Sequence, residues 1–271
     1  MVASSRTLLV IPARLASQRL PRKMLLADTG WPLIEHTWRA AADAVPGAAL
    51  VVVTDSPEIA AAVVRFGGQV EMTSPEAPSG TARIVEALPR LPDADVIVNI
   101  QGDEPEISGA AVRTAIDLLG RCPAAGMATL VTPLRGAADL ANPSVVKAEL
   151  TPWREAADGW VPGAEVPHAW RALSFSRSPL PAARDWDERL LAAEPPLFWQ
   201  HVGLYAFRRA VLAAWDLLPV SRLAALESLE QLRVVEAGIP IAAAAVDHPT
   251  RGIDTPDDYR AFVARQATRP R

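Results

Sequence analysis

The chain has 271 residues, of which 50% are hydrophobic and 21% are charged. This balance is typical of a globular protein with a sizeable core and argues against intrinsic disorder. The formal net charge of −4 disfavours nucleic acid or an anionic membrane as a partner. Any bound anion must therefore be captured by a local cluster of cations.

Cysteine content and hydropathy bear on the location of the protein. Cys122 is the single cysteine, which excludes an intrachain disulfide and a metal site built from cysteines, and fits a reducing compartment. The apolar run that follows Thr7 is stopped by Pro12 and Arg14, so it is too short for the core of a signal peptide. No stretch approaches the roughly 20 apolar residues of a membrane-spanning helix. We expect a soluble, cytoplasmic protein.

Strand-like apolar runs alternate with helical patterns through the first half of the chain. Ser56 is suited to cap a helix that has Pro57 at its first position and Gly67 beyond its end. This alternation predicts an α/β protein with a mainly parallel, twisted sheet and helices on both faces. The predicted strands cover residues 7–12, 49–54, 69–73 and 95–100, and the predicted helices cover residues 32–44, 56–67, 81–91 and 109–121.

The pattern is less regular in the second half. Residues 151–196 are rich in proline and tryptophan, and we interpret them as an insertion or subunit-contact region within a single domain of residues 1–271. Regular patterns then return. They predict strands over residues 199–207 and 239–246, helices over residues 208–218 and 225–238, and a last helix that begins at Pro256.

A cluster of cations follows the first predicted strand. Ligands of open parallel sheets bind beyond the carboxyl ends of the strands, where Arg14, Arg19, Arg22 and Lys23 would lie. Arginine presents a planar fork to phosphate oxygens, and lysine supplies a point charge. A phosphate site and a solvated cluster paired with surface acids both fit this pattern. The glycine and lysine spacing of a Walker A loop is absent.

Acidic residues follow two later strands. Gly102 allows a tight turn that presents Asp103, and Asp254 comes after the last predicted strand. Carboxylate oxygens suit Mg²⁺, which keeps further positions for phosphate and water. Each acid alone fits turn chemistry or helix capping equally well. If the two converge at one sheet edge, they could hold Mg²⁺ on a polyphosphate.

Ser79, Gly80 and Thr81 lie at the start of a predicted helix. Backbone N–H groups there can receive an anion or the edge of a base, and Gly80 permits close approach. An ordinary helix cap explains the same pattern.

The segments "IPARLASQRLPRKML", "VIVNIQGDEPEI", "NPSVVKAEL", "LSFSRSPLP", "HVGLYAFRR", "LESLEQLRVVEAGIPI" and "GIDTPDDY" resemble, in the same order, those of the 3-deoxy-manno-octulosonate (Kdo) cytidylyltransferase family. The resemblance covers nearly the whole chain. It implies a nucleotidyltransferase fold of the Rossmann-like, GT-A-like type. It also implies that CTP and Kdo react with Mg²⁺ to give CMP-Kdo and pyrophosphate for lipopolysaccharide assembly, in a homodimer.

The resemblance also implies roles for individual residues, with Arg19, Lys23 and Asp103 central to catalysis. Without the resemblance, core packing or surface pairing would explain the residues that are assigned to the sugar pocket below. By resemblance, Arg14, Arg19 and Lys23 hold the CTP phosphates; Ser79, Gly80, Thr81 and Gln101 lie near cytosine and ribose; Asp103 and Asp254 coordinate Mg²⁺; and Arg177, His201, Tyr205, Glu230 and Gln231 shape the sugar-acid pocket.

The sequence departs from the family pattern at four points. Arg22 stands where a glycine is usual, Ala82 replaces an acid, Ala224 replaces a glutamate, and the segment "SPLPAARD" lacks the tryptophan usual near it. These changes leave open another acceptor, such as 8-amino-Kdo or a sialic-acid-like sugar. A nucleotide-binding regulator without catalysis is a further alternative, although it would have no need of two metal carboxylates.

Overall fold

The computed structural model describes residues 6–17, 19–156, 162–247 and 252–268. The chain divides into two compact units. The first unit contains the described residues up to Arg113 together with those from Gly252 onward, and the second runs from Thr114 to Asp247. Within the described residues, no helix is both long and apolar enough to cross a membrane.

The first unit is built on a parallel sheet of four strands in the order β3-β2-β1-β4. Successive parallel strands require crossover connections, which helices supply here. The strands are β1 (Thr7–Ala13), β2 (Ala49–Thr54), β3 (Gln69–Met72) and β4 (Val96–Asn99), and the helices are α1 (Leu33–Ala44), α2 (Pro57–Arg65), α3 (Gly80–Ala87), α4 (Gly109–Arg121, which continues into the second unit) and α9 (Pro256–Ala267).

Local capping chemistry fixes where these helices begin. The Ser56 hydroxyl accepts a hydrogen bond from the Ile59 backbone N–H at 3.3 Å, with Pro57 at the first helical position, as predicted. Thr255 and Asp258 form a reciprocal capping box at the start of α9. Hydrogen bonds from Thr255 lower the pKa of Asp258, so this carboxylate stays charged at the positive end of the helix.

The second unit combines parallel and antiparallel pairing in the strand order β8-β5-β9-β7-β6. The β5–β9 pair is parallel, whereas β5–β8, β6–β7 and β7–β9 are antiparallel, and β6 also pairs with β8. The strands are β5 (Met127–Pro133), β6 (Lys147–Ala156), β7 (Pro162–Ser176), β8 (Trp199–Arg208) and β9 (Ile241–Ala245), and the helices are α5 (Ala137–Ala141), α6 (Arg209–Ala213), α7 (Arg222–Glu227) and α8 (Leu232–Glu236).

The α/β class is confirmed, and the larger deviations from the predicted elements lie in the second unit, whereas in the first unit α3 ends at Ala87, before the predicted residue 91. The single helix predicted over residues 225–238 is wrong, because Ser228 adopts a left-handed conformation with φ of 52° that ends α7. The helix predicted over residues 208–218 is reduced to α6 and a short 3-10 turn over Trp215–Leu217. The long antiparallel β6–β7 pair covers residues 147–156 and 162–176, where the composition indicates an irregular insertion, and its register shifts at three points.

A small apolar cluster in the first unit holds two distant segments together. Leu20 lies in the segment from Arg14 to Lys23 that carries the cluster of cations and is called the basic loop below. Leu20 and Ile253, which precedes Asp254, pack with Leu33 at the start of α1 and with Phe262 of α9. The Tyr259 hydroxyl accepts a hydrogen bond from the Asp28 backbone N–H at 3.0 Å. Burial of these side chains therefore places the basic loop beside the segment that carries Asp254.

Candidate active site

The first unit brings Lys23, Asp103 and Asp254 together. The Lys23 ammonium lies 2.6 Å from Asp103 Oδ2 and 3.1 Å from Asp254 Oδ1. It also donates to the Ile253 carbonyl at 3.0 Å. The two acids that the sequence places after different strands are therefore bridged by one cation, which meets the condition set for a shared cation site.

The backbone around this cluster is tightly fitted. The Ile253 backbone N–H donates to the Asp103 carbonyl at 2.8 Å, which joins the two acidic segments directly. A Cβ on Gly102 would lie 3.0 Å from the Pro12 carbonyl oxygen and 3.3 Å from Met24 Sδ. Glycine is needed here because the Asp103 turn approaches the end of β1 and the turn that carries Lys23.

The other cations of the basic loop have different surroundings. Arg19 donates to Asp254 Oδ2 at 2.9 Å and keeps 65% of its side chain exposed. Arg14 is exposed immediately after β1. Arg22, with φ of 56°, forms a two-point ion pair with Glu58 of α2. The left-handed backbone of Arg22 is one that glycine adopts more readily, which accounts for glycine being usual at this position.

The residues expected near the nucleoside lie at the ends of β1 and β4. The Ser79 hydroxyl caps α3 by accepting from the Ala82 N–H at 3.2 Å. A Cβ on Gly80 would lie 3.0 Å from the Pro12 side chain, so this turn packs closely against β1. Thr81 is joined to the Asn99 amide at 3.2 Å. Gln101 is half-buried in the turn that follows β4.

The carboxylates of Asp103 and Asp254 fit a hard divalent cation by chemistry and by position. They already face a positive charge, the Lys23 ammonium, at hydrogen-bonding distance. Across residues 6–17, 19–156, 162–247 and 252–268, no group of three or more acidic, histidine or cysteine side chains forms a metal-binding cluster. A cation held by these two acids would take its other ligands from phosphate and water, as Mg²⁺ commonly does.

The second unit buries His201 and Tyr205 on β8. The two rings stack with centroids 5.6 Å apart, and His201 Nε2 lies 3.0 Å from the Thr129 hydroxyl. The Tyr205 hydroxyl donates to Gln231 Oε1 at 3.2 Å. Gln231 is buried at the start of α8, and Glu230 is half-buried beside it. The predicted sugar-pocket residues on β8 and α8 are therefore partly gathered, while their contact with a sugar stays a prediction.

Burial also lowers the pKa of His201 to about 3. Because an unfolded histidine titrates near 6.5, the unfolded state binds more protons between these values, and the folded state loses stability as pH falls below about 6.5. We expect His201→Gln to remove about 2 kcal/mol of the destabilisation that wild type shows between pH 7 and pH 5.

Urea unfolding at the two pH values measures this difference. The exposed His168 offers a matched control, and His168→Asn is measured in parallel as the removal of a histidine from the surface. An identical acid response in wild type and His201→Gln would contradict the buried, neutral imidazole.

Arg177 lies in a network of carbonyl and carboxylate acceptors. Its Nε donates to the Glu227 carbonyl at 2.6 Å and its Nη1 donates to the Pro143 carbonyl at 2.9 Å. The Glu227 carboxylate in turn accepts from the Arg177 backbone N–H and the Ser176 hydroxyl. The guanidinium is therefore held by the protein itself, and Glu227 fixes the backbone of the Ser176–Arg177 segment.

Lys147 is a residue whose importance the sequence analysis missed. It is fully buried, and its ammonium donates to the carbonyls of Asn142, Val145 and Arg177 at 2.9, 2.6 and 2.6 Å. Burial, followed by the Arg177 charge, lowers its pKa. A lysine flanked by apolar residues at the start of a strand was the available signal in the sequence.

Comparison with known proteins identifies relatives over most of the chain. A cytidylyltransferase family model matches residues 8–241. The 3-deoxy-manno-octulosonate cytidylyltransferases of Rhodopirellula baltica and Chlorobium luteolum are 41% and 43% identical, each aligned over 96% of this chain and 98% of its own length. A solved structure of CMP:2-keto-3-deoxy-manno-octonic acid synthetase complexed with CTP is 39% identical, with a TM-score of 0.83 over 97% of this chain and 99% of its own. The chain belongs to the 3-deoxy-manno-octulosonate cytidylyltransferase family.

Proposed function

We propose that this protein transfers a cytidylyl group from CTP to the anomeric hydroxyl of Kdo, giving CMP-Kdo and pyrophosphate. The observation that carries the proposal is the 39% identity, over nearly its whole length, to a CMP-Kdo synthetase whose solved structure holds CTP. The meeting of Asp103, Asp254 and Lys23 beside β1 and β4 adds a site with charges suited to a metal nucleotide.

Charge explains why the reaction needs this site. CTP and Kdo are both anionic, so the approach of the sugar hydroxyl to the α-phosphorus is disfavoured until cations offset the repulsion. Arg14, Arg19 and Lys23 would bind the phosphate oxygens and stabilise the charge that develops on the departing pyrophosphate. The clustering of cations in an acidic chain then has a physical reason.

The same proposal assigns a cation to the two acids. Asp103 and Asp254 would hold Mg²⁺, since their carboxylates are the donors that this ion prefers and they already surround a positive charge. When bound, Mg²⁺ supplies Lewis-acid polarisation of phosphate oxygens. The chain's own contribution is to fix the two carboxylates, through the Ile253–Asp103 backbone bond and the fit at Gly102.

The acceptor is tested by a panel. Incubating the protein with CTP, Mg²⁺ and either Kdo, 8-amino-Kdo or a sialic acid, and scoring pyrophosphate release, ranks the sugars by kcat/KM. We expect Kdo to be used best. A clear preference for 8-amino-Kdo or sialic acid would retain the nucleotidyl transfer but replace the acceptor.

Arg19→Ala tests the phosphate role of the basic loop. Because a hydrogen bond to a charged group contributes about 1.5–3 kcal/mol, we expect KM for CTP to rise about 10- to 100-fold. Arg6→Ala is the matched control, since Arg6 is an exposed arginine, paired with Asp93, at the opposite end of β1. An unchanged KM and kcat in Arg19→Ala would return Arg19 to a surface role.

The reaction and the family resemblance together indicate a biological setting. We infer that the protein supplies activated Kdo for lipopolysaccharide assembly, in the cytoplasm where CTP is available, and that it acts as a homodimer. Size-exclusion chromatography with light scattering tests the dimer, and a mass equal to one chain would contradict it.

A further inference from the structure

Lysine is used sparingly in this chain and always in the interior. Lys23 and Lys147 are the two lysines among 27 basic residues, and they are 8% and 0% exposed. Lysine ordinarily lies at the surface, where its ammonium is hydrated. At both positions a compact point charge meets three acceptors, a geometry that the broad guanidinium of arginine does not provide.

The formal charges of the cluster around Lys23 balance. Two carboxylates, Asp103 and Asp254, are matched by two cations, Lys23 and Arg19. Lys23 faces both acids, and 10% of its side chain is exposed, whereas Arg19 reaches only the outer oxygen of Asp254 from solvent. The ammonium therefore occupies the position at which both carboxylates are available to one cation.

We propose that Lys23 is an internal cation that competes with the divalent metal for Asp103 and Asp254, and that the nucleotide triphosphate withdraws it. This inference rests on the proposed function. An ammonium and a metal ion cannot both fill the position that faces the two carboxylates. The phosphates of CTP offer Lys23 an alternative set of anionic oxygens, which releases the acids.

This exchange couples metal binding to nucleotide binding. Metal alone must displace a hydrogen-bonded ammonium, so its affinity for the free protein is low. Nucleotide alone must draw Lys23 away from the two carboxylates, and their negative charges are then left without that cation until a metal binds. Because coupling between two ligands is reciprocal, each ligand strengthens the binding of the other. The free protein thus discriminates against metal without nucleotide.

Titration of the nucleotide-free protein with Mn²⁺, read by the electron paramagnetic resonance of unbound Mn²⁺, tests the competition. We expect Lys23→Met and Lys23→Gln to bind Mn²⁺ about tenfold or more tightly than wild type. Arg22→Asn is the control: it also removes one positive charge from the loop, and asparagine tolerates the left-handed backbone. Adding Asp103→Asn to Lys23→Met should abolish the gain.

Equal affinity in wild type and both Lys23 variants would overturn the proposal, as would an equal gain in Arg22→Asn, which would indicate a general charge effect. Circular dichroism melts establish that each variant is folded before titration. If wild type releases pyrophosphate from CTP and Kdo but the Lys23 variants bind Mn²⁺ no more tightly, the proposed competition is wrong and the proposed function stands. If the Lys23 variants bind Mn²⁺ more tightly but wild type shows no turnover with CTP and Kdo, only the proposed function is wrong.

The withdrawal of Lys23 is observable directly. Protein labelled with ¹³C at lysine Cε gives two side-chain NMR signals, and the signal lost in Lys23→Met is that of Lys23. Addition of CTP in EDTA should shift the Lys23 signal and leave the Lys147 signal in place. A Lys23 signal that does not move at saturating CTP would overturn the exchange.

Discussion

Asp103→Asn is expected to lower kcat at least about 1,000-fold in Mg²⁺ while leaving CTP binding largely intact. Asparagine keeps the shape of the side chain but removes the charge that Asp103 directs at the cation position. In EDTA, CTP should bind the variant as well as wild type or more tightly, because one negative charge near the phosphates has been removed. Pyrophosphate release and calorimetric CTP titration measure the two effects separately.

The control for Asp103→Asn is a nearby acid outside the cluster. Asp257→Asn changes an exposed residue in the first turn of α9 that pairs with Arg260, and its kcat should stay near that of wild type. Turnover by Asp103→Asn within tenfold of wild type would contradict the role of Asp103 in catalysis.

Lys147→Ala is expected to lower the free energy of unfolding by about 3 kcal/mol or more. The substitution leaves the carbonyls of Asn142, Val145 and Arg177 without their donor and opens a cavity where the stem was packed. Lys147→Met keeps most of the stem and loses the ammonium, so it should retain part of this stability. Urea unfolding of both variants separates the packing contribution from the hydrogen bonds.

Arg171→Ala on β7 is the control for these measurements. Arg171 is exposed, and its removal should change the unfolding free energy by less than about 0.5 kcal/mol. Stability of Lys147→Ala equal to that of Arg171→Ala would contradict the structural role of the buried ammonium.

The first unit was largely predictable because local signals and packing agree there. Apolar runs gave β2 at residues 49–54 without error, and the 3.6-residue periodicity gave α4 at residues 109–121. The convergence of Asp103 and Asp254 was only a condition in the sequence, because Asp254 lies beyond the end of β9 and the Ile253–Asp103 backbone hydrogen bond brings the two segments together.

What the sequence could not give was the pairing of individual side chains. Lys23 was predicted beside phosphate, and the structure gives it two carboxylate partners; Arg22 was counted in the phosphate loop, and it pairs with Glu58. Such choices depend on the distances between elements that are far apart in the chain. No local pattern contains them.

The second unit was harder to predict because its periodicity conflicts with its tertiary structure. Residues 225–238 have a helical pattern throughout, yet the backbone at Ser228 turns left-handed and divides them. Lys147 belongs to an apolar strand, so its three carbonyl partners, two within the preceding turn and one at Arg177, were not visible in the sequence.

The most direct test of the account is to identify the products made from CTP and Kdo by chromatography and mass spectrometry. With Mg²⁺, wild type should form CMP-Kdo and pyrophosphate in equal amounts, and Asp103→Asn should form neither at a comparable rate. Intact CTP after prolonged incubation with active, folded protein, or release of CMP without any nucleotide-linked sugar, would contradict cytidylyl transfer to Kdo.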